Sequence, residues 1–458
     1  MPVATGHVSP RSTLQVAGAG TLLTLVAFTA PLATLNSTAA ALGTGSAGRS
    51  WILSSMSIGL AAMLLSTGTI ADDTGRRRTF VAGSLLLAAA SLLAAVSPEV
   101  VSFVLMRVLQ GVGGAAVLAS SLGIIAAAFP PGPARAHASG VWGASLGAGI
   151  ATGPLLSAGL DTLHDWRDVY WLLGLAAVGV ALSAQRWVTE SRAEHRRRLD
   201  VPGVLLLGAG MSALLAALVE GRQDWGEPEV LVLGAASAVL LTGFVVVERR
   251  SPSAMLDLSL FAQPAFVAAT VGALATGAGV IALTSYLAAF LGLALRVSGI
   301  AAAVLLLLWS AVSAVTSLLA RRIPATVPGR VQLAVGMLGV GVGELLMFGV
   351  HADSTWVRFA PGLFVAGLAT GVVNAALGRE AVASVPPGRA GMGSGANNTA
   401  RYVGSAVGVT LVTVVAAGTT TAGLVDGWNR AVLLTTAVSV VGALVVLACG
   451  ARPRGPCA

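Results

Sequence analysis

Three ionisable side chains lie within long apolar stretches of this 458-residue chain: Arg107, Glu344 and Arg401. An ionisable group in a hydrocarbon environment is costly unless it is paired or hydrated, so each one is a functional candidate. A buried carboxyl group such as Glu344 suits the uptake and release of a proton, and it could also attract a cationic molecule. Alternatively, Glu344 could be hydrated near the outer surface or pair with a neighbouring helix. Arg107 could relay protons or hold a carboxylate, or it could bind helix-end carbonyls for purely structural reasons.

Side-chain amides accompany one of these charges. Asn397 and Asn398 precede Arg401 by four and three residues, so all three share one face of a helix. They could line a cavity, or they could fasten their helix to a neighbour through hydrogen bonds. Asn36 is a weaker candidate for the cavity on the same reasoning.

Missing residue types narrow the chemistry. The chain has no lysine, which excludes a phosphate-binding loop ending in Gly-Lys, a lysine Schiff base and a kinase-type lysine. Its five histidines form no pair with metal-ligand spacing within a helix. We therefore expect a protein that is not an enzyme and that uses neither a metal nor a cofactor.

The elements that position these residues are membrane helices. Only 10% of the residues are charged and the mean hydropathy is +0.85, whereas soluble domains carry roughly 25% charged residues. Apolar stretches of about 20 residues, enough to cross a bilayer, recur along the whole chain. They predict fourteen helices with cores at 14–40, 51–70, 79–97, 101–128, 138–160, 169–187, 201–219, 230–247, 265–291, 298–319, 331–350, 356–377, 391–417 and 429–449.

The arginines predict the orientation of these helices. With the amino terminus inside, nineteen arginines fall in inner connections and tails, and two lie within helices. The six in outer connections are Arg49, Arg167, Arg222, Arg296, Arg358 and Arg430. Short loops with this bias face the cytoplasm, so both termini are predicted to be cytoplasmic. The basic residues are spread over many loops without interleaved aromatic residues, which argues against nucleic-acid binding.

A motif follows the second predicted helix, where Gly68 and Gly75 frame Asp72 and an arginine cluster begins at Arg76 and Arg77. Gly68 would let two helices approach closely, and Gly75 would allow a tight turn. Asp72 is left to pair with a cation or with a helix N-terminus. This run resembles the signature loop of the major facilitator superfamily.

Further motifs follow in the order typical of that superfamily. Arg107 stands in a run similar to its intramembrane arginine motif, and Gly149, Gly153 and Pro154 resemble the glycine–proline motif of its proton-coupled antiporters. Together the motifs resemble the fourteen-helix drug:proton antiporter branch. One departure is the absence of an acid from residues 30–36, where that branch often has an aspartate. Pro31 and Pro154 are candidate helix kinks.

The resemblance implies an all-α polytopic membrane protein with two pseudo-symmetric six-helix bundles and two inserted helices. The expected divisions are residues 13–187, 188–250 and 264–450. It also implies a monomeric secondary transporter in a bacterial inner membrane that exports amphiphilic drugs or antibiotics in exchange for protons. In that reading, Asp72 and the arginine cluster latch the cytoplasmic side. The alternatives are a transporter of one specific metabolite and a non-transporting membrane scaffold or sensor.

Overall fold

The computed structural model describes residues 9–194, 200–222, 224–251, 254–297, 299–324, 326–418 and 420–449. Both chain termini, which are predicted to be cytoplasmic, and the basic run 195–199 lie outside the described residues. The described chain forms fourteen helical spans, numbered here α1 to α14. Their bounds are α1, Pro10–Thr29 and Pro31–Ala41; α2, Ser46–Thr74; α3, Arg76–Ala95; α4, Val100–Ala128; α5, Pro133–Leu163; α6, Asp168–Trp187; α7, Val201–Glu220; α8, Pro228–Arg250; α9, Pro264–Thr276, Gly277–Ile281 and Ala282–Ala294; α10, Gly299–Leu319; α11, Gly329–Leu345; α12, Ala360–Ala383; α13, Ala390–Val415; α14, Thr421–Ala448.

This architecture confirms the predicted all-α membrane fold. By length and composition alone, eleven helices in the described part of the chain could cross a membrane. The three other spans, α5, α11 and α13, pack between those helices. Large apolar side chains point outward, among them Leu175 (66% exposed) and Val239 (71% exposed), as expected for surfaces that face lipid.

Helix packing divides the chain into two similar groups, which we call the N-bundle (α1–α6) and the C-bundle (α9–α14). In the N-bundle, α1 packs against α4, α5 and α6, while α4 packs against α2 and α3. The C-bundle repeats these pairings: α9 packs against α12, α13 and α14, and α12 packs against α10 and α11. The two bundles meet mainly where α2 contacts α13 and where α5 contacts α10.

The inserted helices α7 and α8 lie at the side of the two bundles. Helix α7 packs against α2, α13 and α8, so it borders the seam between the bundles. Among the eleven helices that could cross a membrane, α8 is the most exposed, since only 17% of its most apolar stretch is buried. Its position is that of a helix that faces lipid.

Several helix ends differ from the sequence prediction. Helix α2 continues to Thr74 instead of ending near residue 70, so Asp72 lies in a helix, not in a loop. The connection to α3 is the single residue Gly75, whose φ of 135° is accessible mainly to glycine. Helix α11 ends at Leu345, five residues before its predicted end, and α12 extends to Ala383, six residues beyond its predicted end.

Two spans have interrupted backbones. Helix α1 is divided at Ala30 by Pro31, as expected for a proline that removes a backbone donor. Helix α9 contains a π-helical turn at Gly277–Ile281, which the sequence prediction missed. Pro154 lies inside α5, which remains one continuous helix.

Candidate functional site: a cavity between the bundles

A cavity lies between the two bundles, lined by α1, α2, α5, α7, α9, α10 and α13. We call the end of the molecule that carries Gly75, Arg186, Arg249 and Arg389 the arginine-rich end. The cavity lies in the half away from it. Its walls are mainly apolar, and they include the aromatic side chains Phe28 and Trp309; its hydroxyl groups come from Thr29, Ser54, Ser57, Thr284, Ser285 and Ser405. An apolar site with a few polar groups is typical of small-molecule binding.

One charged side chain, Arg222, is among the residues that line this cavity. It follows the end of α7, and its Nη1 donates to Ser54 Oγ of α2 at 3.2 Å. Its Nε donates to Thr410 Oγ1 of α13 at 3.2 Å. Sequence reasoning counted Arg222 only as an outer-loop arginine, because nothing in a loop sequence indicates that the side chain turns back between two helices.

Arg107 is fully buried in the N-bundle but lies outside the cavity lining. Its Nη1 donates to Ala27 O and to Gln110 Oε1, both at 2.7 Å. Ala27 O is the carbonyl that would accept from residue 31 in a regular helix, and Pro31 has no N–H to donate. These contacts match the structural alternative for Arg107, in which it satisfies helix-end carbonyls.

Glu344 is also fully buried and lies near the end of α11, facing α14 and the π-turn of α9. Ser439 Oγ of α14 donates to its Oε2 at 2.9 Å, whereas Oε1 has no hydrogen-bond partner among the described residues. No arginine or histidine of the described chain forms an ion pair with it. The structure thus shows an uncompensated carboxyl group beside an irregular helix, behind the cavity wall rather than in it.

The amide and arginine group of α13 is buried as well. Asn397 Nδ2 donates to Ala269 O of α9 at 3.0 Å, which fastens the two helices together. Asn398 Nδ2 donates to Ser394 O within its own helix at 3.0 Å, and Arg401 Nε and Nη2 have no partner among the described residues. None of the three lines the cavity. Asn36 is exposed at the end of the molecule opposite the arginine-rich end, where its Oδ1 accepts from Arg49 Nη1 at 3.1 Å.

Asp72 joins the bundles at the arginine-rich end. Its Oδ1 accepts from Arg76 Nη2 at 2.8 Å and from the Gly391 N–H at 3.1 Å, and its Oδ2 accepts from the Met392 N–H at 2.9 Å. The carboxylate of α2 therefore caps the N-terminus of α13, where free N–H groups and the helix dipole favour negative charge. Both expected pairings of Asp72, with a cation and with a helix N-terminus, are present together.

A second ion pair reinforces this contact. Arg389 Nη1, just before α13, lies 2.7 Å from Asp73 Oδ1 at the end of α2. Arg76 Nη2 also donates to Gly388 O of the C-bundle at 2.7 Å. We call Asp72, Asp73, Arg76 and Arg389 the inter-bundle latch.

The segment after α6 adds a contact that the sequence did not suggest. Glu190 accepts from the backbone N–H groups of Arg77 and Arg78, at 3.0 and 3.2 Å, and so caps the first turn of α3. Ala193 N donates to Asp72 O at 2.7 Å. The linker between the bundles is thus bound to the latch.

The glycines of the antiporter-like motif lie at a helix contact within the N-bundle. A Cβ at Gly153 would stand 2.1 Å from Thr29 Oγ1, and one at Gly149 would stand 2.6 Å from Leu22 O. Only a residue without a side chain allows α5 to approach α1 this closely. Pro154, which follows Gly153, lines the cavity.

Comparison of the sequence with known protein families agrees with this arrangement of helices. The family model of the Major Facilitator Superfamily matches residues 17–409, which cover most of the chain. The chain belongs to the Major Facilitator Superfamily. It is accordingly a multi-pass membrane protein.

Curated relatives and solved structures agree with this membership. The chain is 32% identical over 395 residues to the multidrug resistance protein Stp of Mycobacterium tuberculosis (strain ATCC 25618 / H37Rv), covering 85% of this chain and 72% of that protein. It is 31% identical to the puromycin resistance protein pur8 of Streptomyces alboniger, covering 84% and 77% of the two chains. The crystal structure of the human organic anion transporter MFSD10 matches with a TM-score of 0.67 at 17% identity, over 95% of this chain and 99% of that one. At that identity the structural match concerns the fold alone.

Proposed function

We propose that this protein is a secondary active transporter of the bacterial inner membrane that exports amphiphilic small molecules in exchange for protons. The observation that carries the proposal is the mainly apolar cavity between two similar bundles, with a polar latch that joins the bundles at the opposite, arginine-rich end. Two bundles that rock about a central site can expose it to each side of a membrane in turn. The two resistance proteins named above support export as the direction.

The arginine-rich end is assigned to the cytoplasm, because short connections rich in arginine stay on that side. The latch would then close the cytoplasmic side while the cavity serves the outside. Both termini would be cytoplasmic, and the active unit would be a monomer because one chain supplies both bundles. No role as an enzyme follows from this arrangement.

Glu344 is our candidate for the proton site. A buried carboxyl group with no cationic partner among the described residues is the kind of group that carries protons through membrane proteins. The π-turn of α9 lies between it and the cavity: a Cβ at Gly279 would stand 3.5 Å from Glu344 Oε1, while Ile281 lines the cavity. Because π-turns are often found at functional sites, this turn is our candidate for the connection between proton binding and substrate binding.

Arg401 is retained in the proposal as a second polar site of the C-bundle. Its Nε and Nη2 are buried without a partner among the described residues. Arg107 leaves only its Nε without one there, and its Nη1 donates to the Ala27 carbonyl at the break in α1. The proposal therefore gives coupling roles to Glu344 and Arg401, a positioning role to Arg107 and no role to Asn36.

Uptake of fluorescent amphiphiles into everted membrane vesicles tests the proposal. Vesicles with an acidic interior should accumulate substrate, and a protonophore should abolish the accumulation. Glu344→Gln should remove the response to the pH gradient, whereas Glu227→Gln, an exposed acid in the connection after α7, should keep it. Accumulation that ignores the gradient would refute the antiport mechanism, and an unchanged Glu344→Gln variant would refute the proton site.

A further inference from the structure

Arg222 is placed at the cavity by the inserted helix α7. The indole Nε1 of Trp51 in α2 donates to Glu220 at the end of α7, which ties this helix end to the N-bundle. Two residues later, Arg222 reaches Ser54 of α2 and Thr410 of α13, one from each bundle. Thr410 Oγ1 in turn donates to Leu218 O, one turn back in α7. The guanidinium therefore occupies a built position at the cavity wall.

The charge of Arg222 is not balanced by the protein. Its two hydrogen bonds in the described chain go to hydroxyl groups, and no described carboxylate lies within ion-pair distance of it. Two buried arginines at the arginine-rich end differ, because Arg76 and Arg389 pair with aspartates. Burial lowers the pKa of Arg222 to about 10, which still leaves the side chain charged at neutral pH.

Apart from the aromatic rings of Phe28 and Trp309, whose faces can attract a cation weakly, the rest of the cavity offers no group that would bind a cation. Its lining residues are otherwise apolar or hydroxyl-bearing, and the lining includes no carboxylate. A cationic molecule would therefore lose its hydration and meet a positive charge. An anion would instead receive charge-assisted hydrogen bonds from a planar guanidinium, the donor group best matched to a carboxylate.

We propose that the cavity takes amphiphilic organic anions, with an apolar body against Phe28 and Trp309 and an oxyanion, such as a carboxylate or sulfonate, on Arg222. This inference rests on the proposed transport function, and it specifies the charge of the substrate. The inserted helix α7, which the two-bundle architecture does not require, then supplies the residue that selects the substrate.

The test compares three probes with one aromatic body: pyrenebutyrate, its methyl ester and a pyrenebutyl-trimethylammonium ion. Binding is measured with the full-length purified protein in nanodiscs, after subtraction of binding to empty nanodiscs. The wild type should bind the carboxylate at least about tenfold more tightly than either other probe, because only the carboxylate can accept charge-assisted hydrogen bonds from the guanidinium. Arg222→Gln should remove this preference and leave binding of the ester within about twofold.

Two further variants complete the design. Arg222→Lys should restore part of the preference, because it keeps the charge without the planar fork. Arg430→Gln, an exposed arginine at the same end of the molecule, should behave as the wild type. If Arg222→Gln does not fold, the three probes on the wild type and the lysine variant still decide the question.

Equal affinity for the three probes, a preference for the cation, or an anion preference that survives Arg222→Gln would overturn the inference. Binding needs no pH gradient, so the inference and the antiport mechanism can fail separately. Gradient-driven transport without an anion preference contradicts only the role of Arg222. An anion preference without gradient-driven transport contradicts only the coupling.

Discussion

Arg107 replaces a backbone hydrogen bond that a proline removes from the neighbouring helix. Pro31 leaves Ala27 O without its usual donor, and the Arg107 guanidinium supplies one from α4. Gln110 accepts from the same guanidinium and donates to Ser91 Oγ of α3 at 2.8 Å. A charged residue in the hydrocarbon region can thus be a structural part of a bundle, provided that backbone carbonyls receive its protons.

The pairing of Arg107 with Pro31 can be tested with a double-mutant cycle. Arg107→Leu should destabilise the protein because it leaves Ala27 O buried without a donor, at a cost of about 1–3 kcal/mol. In a Pro31→Ala background the restored N–H can bond that carbonyl, so the same substitution should cost less. The measurement is the apparent Tm of the purified protein for all four members of the cycle. Strictly additive Tm changes would contradict the pairing.

Sequence reasoning found the charged residues but few of the residues that line the cavity. The ionisable residues that it placed inside the membrane, Arg107, Glu344 and Arg401, are all buried in the structure. None of them lines the cavity. Serine, threonine and aliphatic residues make up most of that lining, and in a chain this apolar they carry no distinguishing signal. Arg222 was missed because its role depends on where a loop places its side chain.

At the scale of elements, the contact between α2 and α13 depends on a close approach at Gly68. A Cβ there would stand 2.1 Å from Gly391 O, a backbone atom that cannot move aside independently of its helix. Gly68→Ala should therefore force the two helices apart, with a strain of about 1–3 kcal/mol, and weaken the latch. We expect transport in vesicles to fall about tenfold.

Gly159→Ala is the matched control for this substitution. Gly159 also lies in a spanning helix, α5, and a Cβ there would meet nothing within 4 Å. Its transport should equal that of the wild type, because helix propensity favours alanine. A Gly68→Ala variant as active as the control would show that the approach of α2 to α13 does not limit the transport cycle.

The π-turn of α9 gives a second test at this scale. A Cβ at Gly279 would stand 2.7 Å from Ser439 Oγ, the hydroxyl group that donates to Glu344. Gly279→Ala should displace that hydroxyl group and reduce pH-driven transport while leaving substrate affinity nearly unchanged. Gly272→Ala, in the same helix, adds a methyl group at ordinary contact distances of 3.5–3.8 Å and should be neutral. We measure vesicle uptake with and without a pH gradient, and equilibrium binding of the substrate. Equal losses of gradient-driven uptake and of substrate affinity would contradict a coupling role.

Helix number followed largely from the sequence because eleven of the fourteen described spans are long apolar stretches, which hydropathy records directly. The positions of the helix ends did not follow from the sequence, because they depend on partners elsewhere in the chain. Asp72 can remain in a helix at the membrane boundary only because Arg76 and the N-terminus of α13 satisfy it. The π-turn left no periodicity that distinguishes it from an α-helix.

At the scale of the molecule, the two bundles contact each other differently at their two ends. At the arginine-rich end, an ion pair, a helix cap and the hydrogen bond from Arg76 to Gly388 O join them, whereas the cavity lies between them toward the other end. A transporter that rocks must break the first set of contacts in each cycle. The latch is therefore expected to be stable enough to close the seam but reversible on the time scale of transport.

Locking the latch should separate binding from transport. In a variant without Cys449 and Cys457, Asp73→Cys and Arg389→Cys place thiols on opposite bundles, where a bifunctional methanethiosulfonate with a short spacer can join them. The joined protein should still bind substrate in nanodiscs but should transport none in vesicles, because the arginine-rich end cannot open. Treatment with a reductant should restore transport to the level of the untreated double variant. Each single-cysteine variant, exposed to the same reagent, controls for modification alone. Transport that continues in the joined protein would mean that the bundles do not separate at the latch, and the rocking mechanism would have to be replaced by movement of single helices.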